Sequence, residues 1–179
     1  SMLPELVLRL IHATVSNITK LRFPSGDAVH LTGWDGVLES EDAVYTIGAG
    51  LSLWECGTNK DLKSKADSDY VKRSNNALGY DTRTATYVFV TPRIWDGAEK
   101  WMQDKNTDSI WRNVVVLTAV ELEDWLALCP SVSLWLAEQW HEHPIRANSI
   151  ETFWKNRFVG QEITLNPDII LGGREIEQN

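Results

Sequence analysis

Residues 33–73 read GWDGVLESEDAVYTIGAGLSLWECGTNKDLKSKADSDYVKR, and this stretch decides the fold. Residues 37–39 continue an extended run out of the Gly33-Trp34-Asp35-Gly36 turn, and Glu41-Asp42 marks a tight connection. Residues 43–47 read as a further strand, Gly48-Ala49-Gly50 breaks it, and 51–55 (LSLWE) returns as an apolar, central one. After a Gly57-Thr58-Asn59 turn, 63–78 predicts a polar helix with Ala66, Tyr70 and Ala77 inward and Gly79 closing it. Two carboxylates, Asp35 and Glu55, thus fall on neighbouring strands, and Lys60, Lys63, Lys65, Lys72 and Arg73 follow on the loop and helix.

Working outward, residues 3–20 have the apolar spacing of an amphipathic helix, with Pro4 and Glu5 in its first turn. Phe23-Pro24-Ser25-Gly26 opens a turn, and 28–32 suits a short strand before Gly33. Downstream, 84–90 (TATYVFV) is the most strand-like run, rich in β-branched and aromatic residues. A helix over 95–105 and a buried strand over 114–118 follow, and this crossover predicts a parallel pair. Helices are expected over 119–128, 131–140 and 149–158, with Ser149 as an N-cap and Pro130 interrupting. The expectation is one α/β domain over 1–179, with a core at about 3–118 and a helical extension over 119–179, excised from a longer protein.

Composition narrows the classes. The chain has a net charge of −8, which argues against a general nucleic-acid coat protein. The charge is uneven: residues 60–93 carry seven Lys/Arg against four Asp, so that segment is +3 and the remainder −11. The positive segment adjoins the acid pair, as a phosphate-binding face needs. Two cysteines make neither a disulfide framework nor a zinc site. No apolar run is long enough to span a bilayer and no signal peptide is evident, so a cytoplasmic protein without membrane contact is expected. Nine tryptophans read as core residues that lend their N–H to nearby acceptors.

The chemistry follows from the acid pair. Asp-Gly is by itself a turn signal, but Glu55 ends an apolar strand, where a buried carboxylate needs a cation, a donor or a proton. Two converging acids bind a hard divalent cation through oxygen, and adjacent lysines suit a phosphate. Other candidates are weaker. His141 and His143 are two apart and point in different directions on a helix, and Cys56 has no partner histidine in view. No Walker loop or GxGxxG is present.

Taken together, an N-terminal helix with an early Glu, a strand bearing Asp-Gly, an apolar strand ending in an acid, then a helix and a strand resemble the PD-(D/E)xK restriction-endonuclease-like superfamily. The resemblance covers roughly residues 3–118 and implies an αβββαβ core. It is most similar to a bacterial branch reading Gly-Trp-Asp-Gly, Trp-Glu-x-Gly-Thr and Lys-Ala-x-x-Asp-Tyr-x-x-Arg, here residues 33–36, 54–58 and 65–73. Such domains can stand as nuclease effectors at the front of larger bacterial proteins, including antiviral defence ATPases. The resemblance implies Mg²⁺, with Mn²⁺ able to substitute, held by Asp35, Glu55 and the Cys56 carbonyl, with Glu5 a further candidate. The substrate expected is DNA, with RNA left open, and further domains or a homo-oligomer are expected partners.

One position departs from that pattern. The superfamily places Lys two residues after the second acid, and this chain has Gly57 there. Lys65 is the first candidate for the missing catalytic charge and Lys60 the second, while Lys72 and Arg73 would hold the nucleic-acid backbone. The rival readings are an inactive domain that binds nucleic acid or a protein partner, and a carboxylate-pair hydrolase acting on another substrate.

Overall fold

The computed structural model describes residues 2–24 and 33–140. The chain divides into two compact units, Ser1–Leu136 and Ala137–Asn179. The first runs α1 (Met2–Thr14), β1 (Ile18–Arg22), β2 (Gly36–Ser40), β3 (Gly50–Cys56), α2 (Leu62–Asn75), β4 (Thr86–Val90), α3 (Ala98–Thr107), β5 (Asn113–Leu117), α4 (Ala119–Ala127) and α5 (Pro130–Gln139). Of the second unit, residues 137–140 are described and carry the end of α5, where the Trp140 N–H meets the Ala137 carbonyl at 3.1 Å. The fold is α/β, a five-stranded mixed sheet flanked by helices, with further helices in the C-terminal part.

Strand order equals chain order, β1-β2-β3-β4-β5. The pairs β1/β2 and β2/β3 are antiparallel, and β3/β4 and β4/β5 are parallel. The apolar strand LSLWE is therefore the centre of the sheet, and the parallel pair expected from the 84–118 crossover is present. Strand alternation divides the core in two. Leu38, Trp54, Val88, Val90, Val115 and Leu117 pack with α1, α4 and α5. Val37, Leu53, Tyr87, Phe89, Val114 and Val116 pack with α2 and α3. Glu55 is two residues from Leu53, so it faces α2.

Several expected elements shift. The N-terminal helix stops at Thr14 rather than Lys20. Asp42 accepts hydrogen bonds from the Asn17 backbone and side-chain N–H groups (3.0 and 3.2 Å), which turns the chain into β1. That strand, 18–22, opens the antiparallel meander; the strand expected over 28–32 lies outside the described residues. Residues 43–47 form no strand. Val44 and Ile47 exchange backbone hydrogen bonds at 2.8 and 2.9 Å across a tight turn, and Tyr45 there has φ 54° and stacks on Trp125. Both flanking side chains are buried, so this is a plug in the core rather than a sheet member.

Helix ends differ for local reasons. Asp61 caps α2 by accepting the Ser64 N–H at 3.0 Å, and the helix closes at Asn76, so Gly79 belongs to the following turn at φ 88° and is not the cap. Thr118, expected in the last strand, is the N-cap of α4 in a capping box with Glu121. Pro130 opens α5, at a position where its missing N–H has no partner to lose. The helix expected over 149–158 lies outside the described residues.

The structural reading of the tryptophans holds where they are buried. Trp34, Trp54, Trp101, Trp111 and Trp125 are core residues, and each indole N–H donates to an acceptor between 2.9 and 3.3 Å away. Among the described residues no helix is long and apolar enough to cross a membrane.

Candidate active site

The antiparallel register pairs Gly36 with Trp54, so the next step brings Asp35, just before β2, opposite Glu55. Asp35 Oδ2 accepts the Cys56 backbone N–H at 2.7 Å, which fixes the carboxylate beside the end of β3. Glu55 is 5% exposed. Burial first, and then the Asp35 charge, push its carboxyl from 4.5 up to about 7, while Arg73 pulls the other way. A carboxylate in this setting is short of positive charge.

Each residue of Gly33-Trp34-Asp35-Gly36 has a distinct task. The Gly33 carbonyl and Glu55 Oε1 both accept from the Arg73 guanidinium. Trp34 lies under that guanidinium, 4.6 Å from ring to Cζ, and its other edges meet Tyr87 and Trp111. Gly36 has no room for a side chain, because a Cβ would fall 2.2 Å from the Phe23 ring. Arg73 is thus a buried clamp on Glu55, 4% exposed, and not the surface contact to a nucleic-acid backbone expected from the sequence. A guanidinium satisfied by a carboxylate and a carbonyl has left the solvent that such a contact requires.

Position 57 explains itself. A Cβ on Gly57 would sit 2.5 Å from Phe89 Cζ, so the ring of β4 excludes a lysine there. The next nearest group is Lys65, whose Cγ would be 3.3 Å from that Cβ. The Lys65 side chain, reaching back from the first turn of α2, therefore runs past position 57. Its ammonium is held by Asp69 Oδ1 at 2.9 Å.

The remaining candidates separate. Lys60 and Lys72 are exposed and form no ion pair among the described residues, and Lys60 sits on the loop whose Thr58 carbonyl accepts from Arg93 Nε at 3.0 Å. Glu5 is not gathered into the site: α1 packs on the opposite sheet face, and Glu5 pairs with Arg9 at 3.1 Å. Cys56 packs its thiol against the α1 side, and burial followed by the neighbouring acids raises its pKa well above the ordinary range, which disfavours a thiolate nucleophile. His141 and His143 lie outside the described residues.

Two polar groups were given no role from the sequence, although Asp69 stands in the 65–73 motif. Asp69 is 6% exposed, and its Oδ2 is buried with no hydrogen-bond partner among the described residues. The Tyr87 hydroxyl is likewise buried without a partner among the described residues, and burial, Glu55 and Asp69 push its pKa well up. The available signal for Asp69 was its spacing: Lys65, Asp69 and Arg73 recur every four residues and line one side of α2. Three acids, Asp35, Glu55 and Asp69, meet two bases, Arg73 and Lys65. With every acid ionised the cluster is anionic by one charge.

Among the described residues no three His, Cys, Asp or Glu side chains form a metal-binding group. The donors on offer are Asp35 Oδ1 and Glu55 Oε2, the oxygens left over from the Cys56 and Arg73 hydrogen bonds. With the Cys56 carbonyl they make a set of hard oxygens. No family model matches the chain, and searches of curated proteins and of solved structures gave no significant match.

Proposed function

We propose that this chain is a restriction-endonuclease-like domain that cleaves phosphodiester bonds of DNA with Mg²⁺. The observation that carries the reading is the buried Glu55 carboxylate, facing Asp35 across the sheet register and raised to about 7 by burial and that second acid. An excess negative charge in such a place is compensated by a proton or a cation. Mg²⁺ keeps several waters and needs only one or two carboxylates beside substrate phosphates, so Asp35, Glu55 and the Cys56 carbonyl are a sufficient donor set. When bound, the ion supplies Lewis acidity toward phosphate oxygen and water.

The chain's own residues do the rest. Arg73 fixes the Glu55 rotamer by holding one oxygen, and the Cys56 N–H does the same for Asp35. Lys65, one-third exposed, brings an ammonium to the mouth of the cluster, where it stabilises charge developing on a phosphate and orients water. Among the described residues nothing on this face suggests base readout, so no sequence specificity is predicted. The element order α1-β1-β2-β3-α2-β4 supports the αβββαβ reading, and the effector role in a larger defence protein belongs to the same proposal.

Plasmid nicking with Mg²⁺ or Mn²⁺ tests it, beside Asp35→Ala, Glu55→Ala and Lys65→Ala. Loss of cleavage in both acid variants is the expected result, and cleavage that survives both refutes the assignment. One observation favours a second reading: Arg73 already neutralises part of Glu55, as an inactive domain that binds nucleic acid or protein would allow. Calorimetric titration with Mn²⁺ separates the two, since the nuclease requires binding that depends on both acids.

A further inference from the structure

We propose that Asp69 is the positioning residue for Lys65, fixing the ammonium at the end of a stem that passes Gly57. The inference rests on the nuclease reading for its catalytic consequence, but its geometry is independent of it. Lys65 and Asp69 are one helical turn apart, and Nζ donates to Oδ1 at 2.9 Å. The same helix holds a second pair of equal spacing, Lys63 and Asp67, at 2.6 Å with side chains 71% and 33% exposed. That pair is a surface contact of the kind that contributes little.

Asp69 is different in kind. Its side chain is 9% exposed, and Oδ2 has no hydrogen-bond partner among the described residues. Burying a carboxylate with one oxygen unsatisfied opposes folding, so helix stability does not account for the residue. What the arrangement achieves is placement. Phe89 denies position 57 any side chain, so a lysine must arrive from elsewhere, along a flexible four-carbon stem. The stem passes Gly57, and Asp69 arrests the free end. Arg73, one turn further, makes the next link by binding Glu55, so the stripe Lys65-Asp69-Arg73 ties the lysine to the helix that also holds the acid.

The test follows the Lys65 side chain directly. The protein is reductively methylated with ¹³C-formaldehyde, and the Lys65 dimethylamine NMR signal is assigned by its loss in Lys65→Arg. In Asp69→Asn that signal should move toward those of exposed Lys60 and Lys72, and in Asp67→Asn it should stay. In the nicking assay Asp69→Asn should slow turnover roughly tenfold to a hundredfold. Its Mn²⁺ affinity should match wild type, and Asp69→Asn with Lys65→Ala should be no slower than Lys65→Ala alone. If Asp69→Asn does not fold, Asp69→Ser carries the same comparison. An unmoved Lys65 signal overturns the proposal whether or not the protein cuts DNA. Additive losses, or lost Mn²⁺ affinity in Asp69→Asn, overturn it too, because Asp69 would then act on its own account. A moved signal in a protein that never cuts supports the placement and removes the nuclease reading instead.

Discussion

Glu55 should make folding stability fall as pH rises through neutrality, and Glu55→Gln should abolish that fall. The sign follows from linkage. Stability changes with pH according to the difference in protons bound by unfolded and folded chains. Glu55 has a raised carboxyl pKa in the fold, so between its ordinary 4.5 and about 7 the folded chain holds the extra proton. Its contribution is fully present below 4.5 and is lost as pH rises through about 7. At about 1.4 kcal/mol per pH unit, this interval amounts to roughly 3 kcal/mol. Other shifted acids do not mimic it: Asp67 and Glu121 are lowered, so their effects lie below this window. The assay is urea denaturation in EDTA at pH 4.5, 5.5, 6.5 and 7.5, with wild type and Glu55→Gln side by side. The difference between the two curves should change by roughly 3 kcal/mol across the series. Parallel curves would refute the reasoning, because Glu55 would then carry the same charge in both states. Saturating Mn²⁺ at pH 7.5 should raise wild-type stability and leave Glu55→Gln nearly unchanged.

Four further outcomes are expected. Arg73→Met leaves the Glu55 carboxylate buried without its partner and should cost about 3–5 kcal/mol in urea denaturation, with Arg73→Lys failing to restore it. Gly57→Ala should cost about 1–3 kcal/mol, because its Cβ meets the Phe89 ring; a neutral result would mean that Phe89 is free to move. Glu5→Ala should leave Mn²⁺ affinity and nicking within about twofold of wild type, since its partner is the exposed Arg9. Trp125→Ala should cost about 3–5 kcal/mol by thermal melting, from the loss of a fully buried indole stacked on Tyr45 and bonded to Thr14.

Read alone, the sequence determined the centre of the molecule. LSLWE is apolar apart from Ser52 and the terminal Glu55, which predicts a central strand, and Asp-Gly stands at the head of the extended run 37–39. Period-2 alternation is a local property and put Asp35 and Glu55 on neighbouring strands, but a further strand was also expected at 43–47; that segment closes a tight turn instead, so β2 pairs directly with β3. The parallel crossover of 84–118 was legible for the same reason: β-branched runs either side of a helical pattern leave few topologies.

Tertiary structure alone decided the rest. Apolar spacing through residue 18 fits helix and strand alike, and the Asp42 contacts with Asn17 choose strand at a sequence distance of 25 residues. Arg73 on a polar helix reads as solvated. It turns inward because a carboxylate, a carbonyl and an indole face wait there, the carboxylate 18 residues away and the carbonyl 40. Position 57 is the sharpest case: the sequence registers a missing lysine, whereas packing shows that Phe89 forbids one and that Lys65 passes the spot. Local pattern fixes which way each element can face, but a charge is buried only where distant partners converge on it, and that convergence is a property of the assembled sheet and helix.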